Sequence, residues 1–337
     1  NLKLELVKKG KRDVLEQNLF PKLFEDEINN VSNLKISAVG HRVVHGGEKF
    51  KKPIKITKEN IIELEKINYL APLQNPFDVL GIKISQNIFN PSGRSGQEIP
   101  QFAVFDTEFF KDLPEKAYKY ALPEDIVNKF GFRRYGFHGI SHEYAAKKAS
   151  EVAKKHFNKL KIITCHLGGG ASMAAIKNGK AIDTSMGFTP LEGLVMMTRS
   201  GNVDAGIVIQ LAREFSSEKA NDILNKKSGI KGLCGQSDML KVIEKVKMGD
   251  RKAKLALDIY IYSIQKYIGS YYAILGGCDL LVFTGAIGFG SAKIRNMVCR
   301  PTGDLPKGDK YLAILKKTKI LVIETDEELA ITQKIIK

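Results

Sequence analysis

The chain has no tryptophan, only four cysteines and, along its 337 residues, no apolar run near the ~20 that a membrane-spanning helix requires. Cys165, Cys234, Cys278 and Cys299 lack the close pairing of a zinc site. A chain of this length does not depend on disulfide staples either, so the four read as buried thiols. No Gly-Lys-Ser/Thr phosphate loop is present, and no glycine motif is followed by an acid at dinucleotide-binding distance. Residues 1–12 are charged and amphipathic, without the apolar centre of a secretory signal, which predicts a cytoplasmic location and no membrane partner.

What is abundant is positive charge: 53 Lys and Arg against 37 Asp and Glu, a formal net charge of +16. The basic residues are spread along the whole chain. Even the densest group, Lys8, Lys9, Lys11 and Arg12, has no interleaved aromatics, so no nucleic-acid partner is expected. A solvated surface that attracts anionic substrates accounts for the excess. The length exceeds the size at which one core stops growing, which predicts two domains with a cleft.

Alternation over residues 34–39 predicts a strand leading into the segment GHRVVHGG, after a helix over 12–31. A helix over 58–69, capped by Thr57, a second over 77–88, a loop over 90–96 and a buried strand over 101–105 ending on Asp106 follow. Next come a helix over 141–156, a strand over 161–165, the glycine loop HLGGG, and a hairpin turning at Asn178-Gly179. A long loop over 183–202 leads to helices over 204–215, 217–225, 239–248 and 251–275. The last is apolar and aromatic nearly all round, as a core helix would be. A strand over 280–284, the glycine turn GAIGFG, a helix, a strand over 320–323 and a helix from Asp326 close the chain.

Several groups carry chemistry. Arg42, beside His41 and the glycines of His45-Gly46-Gly47, is either a surface arginine or a bidentate grip on phosphoryl or carboxylate oxygens. Asp106, at the end of an apolar strand, is either a helix cap or a carboxylate that holds magnesium or orients a nucleophile. His138 and His142 stand four apart around a glycine turn, but no HExxH acid accompanies them. His138 is therefore placed to donate to a transferring phosphoryl group, with His142 packed inside. HLGGG and GAIGFG each follow a strand, where backbone N–H groups can cradle phosphate. Arg199 ends the long loop DTSMGFTPLEG, and a second cation suits the charge that phosphoryl transfer spreads over equatorial oxygens. Glu327 and Glu328 open the last helix, where they complement its dipole whatever else they do.

Taken together, AVGHRVVHGGEKF, APLQNP, VFDTEFF, RRYGFHGISH, IITCHLGGG, DTSMGFTPLEGL and NKKSG resemble the acetate kinase family, within the acetate and sugar kinase/actin/heat-shock ATPase superfamily. The resemblance implies an α/β fold of two ribonuclease-H-like lobes with a cleft between them. Its lobes would be residues 1–108 with a terminal helix 328–337, and residues 109–327 carrying nucleotide binding and dimerisation. It implies reversible phosphoryl transfer between acetyl phosphate and ADP, giving acetate and ATP, with Mg2+ as cofactor and a homodimer as the assembly. Asp106, His138 and Arg199 would be catalytic; Arg42, Val44, Leu73, Phe137 and Pro190 would bind the acid. His166, Leu167, Gly168, Gly169, Gly170, Asp238, Ala286, Ile287, Gly288, Phe289 and Gly290 would meet the nucleotide, and Glu327 the metal.

Departures from the family pattern gather on the nucleotide side. The family's Asn-x-Gly-Ser-Ser-Ser loop and its strand have no counterpart in the 39 residues before Gly40, so the N-terminal lobe is expected to lack its first strand. Gly169 replaces an asparagine, Phe289 and Gly290 replace an acid and an amide, Met239 an aspartate and Lys241 an arginine; Gln74 replaces a histidine on the acid side. These losses raise an alternative, a non-catalytic paralog serving as a binding or assembly subunit.

Overall fold

The computed structural model describes residues 22–23, 25–26, 36–91, 98–300 and 315–336. Most of the helix expected over 12–31 and most of the 90–96 loop lie outside those residues. Two compact units emerge, Asn1–Glu108 with Asp326–Lys337, and Phe109–Thr325.

The first unit holds β1 (Val39–Val43), β2 (Ile54–Lys55), α1 (Lys58–Lys66), α2 (Asn75–Phe89), β3 (Gln101–Phe105) and the terminal helix (Glu327–Ile335). Its three strands run in the order β1-β3-β2. The first strand sits later than expected: residues 36–38 are not strand, while Gly40, His41 and Arg42 are. Pairing decides this, because β1 runs parallel to β3 from Val39 opposite Gln101 to Val43 opposite Phe105. Tertiary pairing overrides the weak strand preference of the glycine and the charged residue. Thr57 caps α1 as expected, accepting from the Asn60 N–H at 3.2 Å. α2 starts at Asn75, two residues earlier than expected, because Pro76 falls in its first turn, where a missing N–H costs nothing.

Val43, Phe50, Ile61, Leu64, Val79, Ile82 and Phe105 form the core of this unit, with the Phe50 and Phe105 rings stacked at 5.4 Å. Gly46 lets the chain cross Phe105 closely, since a Cβ there would stand 3.0 Å from that ring and overlap the Phe50 carbonyl. Gly40 plays the same part for the terminal helix: a Cβ would stand 2.6 Å from Ile331. With Ile331 seated on Gly40, Glu327 lies one helical turn back and reaches β1.

The second unit opens with two short helices and then α3 (Gly139–Val152), β4 (Lys161–Leu167), β5 (Ala171–Lys177) and β6 (Lys180–Thr184). It continues with α4 (Ala205–Glu214), α5 (Ser217–Asp222), a π-turn (Ile223–Lys227), α6 (Gly229–Cys234), α7 (Met239–Lys247) and α8 (Arg251–Leu275). β7 (Leu280–Thr284), α9 (Gly285–Gly290), α10 (Ala292–Cys299) and β8 (Lys319–Val322) complete it. The five-stranded sheet has the order β6-β5-β4-β7-β8, antiparallel through β6, β5 and β4 and parallel from β4 to β8. Every β7 side chain is buried, as a strand covered on both faces requires. Asn178 (φ 53°) and Gly179 (φ 80°) make the expected left-handed hairpin turn.

Three expectations need correction here. β4 runs on through His166 and Leu167, so only Gly168–Gly170 form the turn, closed by the Gly168 N–H on the Gly170 carbonyl at 3.0 Å. GAIGFG is a helix rather than a turn. The change of direction is concentrated in Gly285 (φ 76°), where a Cβ would meet the Leu167 backbone at 2.7 Å, and Gly288 lets the helix settle on β4. Finally, α8 is apolar but not buried all round. Ala253, Leu257, Tyr260, Ile264, Ile268, Tyr271 and Leu275 face inward, while Leu255, Tyr262 and Ile274 are exposed.

Candidate active site

In the first unit the parallel register of β1 and β3 sets Arg42 beside Asp106, whose N–H extends the pairing to the Val43 carbonyl at 3.0 Å. The guanidinium grips that carboxylate with two nitrogens, Nε to Oδ1 at 3.0 Å and Nη2 to Oδ2 at 2.6 Å. Its third nitrogen, Nη1, meets Glu327 Oε2 at 2.7 Å. Asp106 is 1% exposed and Arg42 38% exposed, so solvent screens the arginine's outer side. The Asp106 charge outweighs the cost of burial and, with Glu327, raises the Arg42 pKa, leaving it cationic at any working pH.

Two residues that sequence reasoning passed over hold the segment after Arg42. Asp78 Oδ2 accepts from the Val44 N–H at 2.9 Å, and Asn75 both accepts from the His45 N–H and donates to the His45 carbonyl at 3.0 Å. Both lie in the first turn of α2, three residues apart and so on one face. That spacing, after a loop and around Pro76, was the available signal. Burial pushes the Asp78 carboxyl up to about 7, above its ordinary value of 3.8. A carboxyl whose folded pKa is raised contributes stability that is present below the unfolded pKa and lost as pH rises through the folded one. We therefore expect metal-free Asp78→Asn, which keeps an acceptor for Val44, to gain about 1–2 kcal/mol over the parent at pH 8 and nothing at pH 4. Urea unfolding at the two pH values checks this. Equal midpoint shifts at both would contradict it.

In the second unit His138 caps α3 from a left-handed backbone (φ 58°), an uncommon conformation for a side-chain-bearing residue and one found at functional sites. Its Nδ1 is 2.8 Å from Ser172 Oγ, and its ring stacks on His166 at 4.3 Å. His142 is packed as expected: Nδ1 meets Thr164 at 2.7 Å and Nε2 meets Ser172 at 2.8 Å. Burial, then His166, drives its pKa well below 6.5, so it stays neutral. The Ser172 hydroxyl thus joins the two imidazoles.

Gly170 is where the groups meet. A Cβ there would lie 3.5–3.6 Å from His138 Cε1 and Nε2 and 3.6 Å from Arg199 Nη1, and one at Gly169 would have nothing within 4 Å. An imidazole and a guanidinium therefore converge on an open glycine turn, an arrangement suited to a phosphoryl-sized anion. Arg199 Nη1 donates to the Pro190 carbonyl at 3.3 Å, and burial lowers its pKa without costing the charge at neutral pH.

The NKKSG segment acts through the backbone around Arg199. In the π-turn, the Leu224 carbonyl accepts from the Ser200 N–H at 3.0 Å and the Asn225 carbonyl from the Thr198 hydroxyl at 3.0 Å. The Ser228 N–H returns to the Thr198 carbonyl at 3.1 Å. Met197 N–H donates to the Gly169 carbonyl at 3.2 Å, tying this loop to the glycine turn.

The remaining candidates lie as follows. Val44 is half-buried beside the Arg42 group and Leu73 is an exposed side chain of the first unit. Phe137 is fully buried and Pro190 half-buried in the second. Asp238 caps α7, accepting from the Leu240 N–H at 2.8 Å. Ala286, Ile287, Gly288, Phe289 and Gly290 lie on α9, with Phe289 exposed. Among the described residues no three His, Cys, Asp or Glu side chains gather as a metal cage.

The acetokinase family model matches residues 5–333. The chain belongs to the acetokinase family. The acetate kinase of Carboxydothermus hydrogenoformans is 47% identical over 330 residues, 94% of this chain and 81% of the relative. Among solved structures, the acetate kinase of Porphyromonas gingivalis superposes with a TM-score of 0.83 at 39% identity, covering 96% of this chain and 85% of that one. A propionate kinase from Francisella tularensis gives 0.82 at 37% identity, with 94% and 83% covered. This acetokinase therefore has the α/β fold of the solved acetate kinases, and its family is one of phosphotransferases.

Proposed function

We propose that this acetokinase catalyses reversible phosphoryl transfer between acetyl phosphate and ADP, giving acetate and ATP. The observation that carries the reading is the convergence of His138 and Arg199 on the Gly170 turn. In the forward direction an ADP β-phosphate oxygen attacks phosphorus while the bond from phosphorus to the acetyl oxygen breaks, and acetate leaves as the carboxylate. Negative charge on the equatorial oxygens meets Arg199 and a His138 donor. By resemblance to the family, acid binding is assigned to Arg42, Val44 and Leu73 in the first unit and to Phe137 and Pro190 in the second.

Magnesium fits the acidic pair as a hard cation that takes one or two carboxylates and completes its shell with water and phosphate oxygens. Asp106 and Glu327, both drawn to Arg42, are such a pair. When bound there, magnesium neutralises phosphate charge. The nucleotide is assigned to His166–Gly170, Asp238 and Ala286–Gly290, and its cytoplasmic pool implies a cytoplasmic enzyme.

The non-catalytic alternative is not favoured, because the chain is 47% identical to a curated acetate kinase over 94% of its length and retains Arg42, Asp106, His138, Arg199 and Glu327 despite the nucleotide-side departures. Hydroxamate formation from acetate with magnesium ATP tests the proposal. Turnover equal to a no-enzyme control, with magnesium ADP failing to bind by calorimetry, would sink it; a propionate arm sets the acyl preference.

A homodimer is the proposed assembly. α4 buries none of its residues, and Ile207, Ile209 and Phe215 are 51%, 52% and 48% exposed. Exposed large apolar side chains on and next to one helix make it the candidate contact element. We expect Ile207→Glu to convert a dimer to a monomer by light scattering, with the thermal midpoint retained; an unchanged mass would remove α4 from the interface.

A further inference from the structure

The loop between β6 and Arg199 is long, and its placement is controlled from one point. Glu192 Oε1 accepts from Arg134 Nη2 at 2.6 Å, and its Oε2 accepts a short hydrogen bond from the Tyr120 hydroxyl. That hydroxyl also accepts from the Phe188 N–H at 2.9 Å, and burial, then Glu192, raises its pKa, so it remains the donor. Arg134 Nη1 reaches the Thr184 and Ser185 carbonyls at 3.3 Å each. The Gly187 carbonyl accepts from the N–H groups of Tyr135 and Gly136, at 3.0 and 3.4 Å. A Cβ at Gly187 would displace the Glu192 carboxylate and the Tyr120 hydroxyl from this pairing.

This network joins the segment that leads to His138 with the loop that leads to Arg199. Arg134 lies four residues before His138. Glu192 lies two residues after Pro190, whose carbonyl is the acceptor for Arg199. That bond, at 3.3 Å, is the side-chain hydrogen bond that ties the guanidinium to the loop. Arg134 and Glu192 are 17% and 32% exposed, which keeps their pairing from full solvent screening.

We propose that Glu192 is a positioning residue that, through Arg134 and Tyr120, locks the Pro190 carbonyl and thereby sets where Arg199 meets the Gly170 turn. It touches neither the transferring group nor the nucleotide. The inference rests on the proposed kinase activity for its kinetic arm only.

Glu192→Gln keeps the side chain's volume and one acceptor while removing its charge. We expect kcat to fall about tenfold with the KM for acetyl phosphate within about twofold, because misplacement of a catalytic cation is felt in the transition state. In an Arg199→Ala background the same substitution is expected to change kcat less than twofold, since nothing is left to position. Losses that multiply in the double variant would overturn the proposal and leave a merely structural role. Independently of activity, the Arg199 Nε–Hε cross-peak, assigned by its loss in Arg199→Ala, should shift or broaden in Glu192→Gln at unchanged Tm; an unmoved cross-peak overturns the proposal. An inactive parent enzyme would sink the proposed function, while the cross-peak still decides the role of Glu192.

Discussion

Arg199→Ala is expected to lower kcat about 10²–10³-fold, the scale observed when one preorganised charge partner of a transition state is removed. The reason lies in how the two arginines differ. Arg42 is paired with Asp106 and Glu327 together. Arg199 makes no salt bridge among the described residues; it donates to a neutral carbonyl, and burial already strains its charged state. Its field is therefore available to the developing charge near Gly170. Removing it breaks one long hydrogen bond, so Tm should fall by no more than a few degrees. Arg199→Lys should recover part of the loss, because charge returns without the planar fork. Hydroxamate and ATP-forming assays on both variants check the order parent, Lys, Ala. A loss below threefold in Arg199→Ala would show that the phosphoryl group does not pass this guanidinium.

The parts of the fold that were legible before the structure are those where local signal and tertiary use agree. β3 and β7 are mainly apolar runs with nearly every side chain buried, and α8 carries its own cap and its own left-handed glycine stop, Asp250 and Gly276. β1 misled because its alternation was read upstream of a segment that becomes strand only by pairing with β3. GAIGFG looked like a turn because half of it is glycine; one residue, Gly285, makes the turn and the remainder continues as helix against β4. At the candidate site, the side chains proposed to act directly are readable as motif residues. The partners of those that hold other segments in place are not: Asp78 and Asn75 bond backbone groups of Val44 and His45, Glu192 bonds the side chains of Arg134 and Tyr120, and no spacing in one chain reveals such a partner. The π-turn was read as the end of a helix, and its use lies in the carbonyls it presents to Thr198 and Ser200.

Gly229→Ala follows from that last point and is expected to be the most damaging single methyl addition at the site. Gly229 has φ 61°, a conformation that costs about 1–2 kcal/mol once a Cβ is present. The added carbon would overlap the Met196 carbonyl oxygen and stand 2.6 Å from the Arg199 carbonyl oxygen, so backbone rather than a flexible side chain must move. The segment that must give is the one held by the Ile230 N–H on Met196 and the Ser228 N–H on Thr198, at 3.0 and 3.1 Å, which is also the segment that carries Arg199. Strain and lost hydrogen bonds together predict about 3 kcal/mol or more of destabilisation, with kcat falling at least as far as in Arg199→Ala. Urea unfolding and turnover at a temperature where the variant remains folded separate the two effects. Ser228→Ala is the control: it removes the Ser228 hydroxyl bond to the Ile223 carbonyl at 2.8 Å, on the far side of the π-turn, without displacing Arg199. That variant should lose about 1 kcal/mol and keep its kcat within about threefold. A Gly229→Ala enzyme with parental kcat would mean that the 196–200 backbone can shift without disturbing the guanidinium, and the clamp would then have no catalytic part.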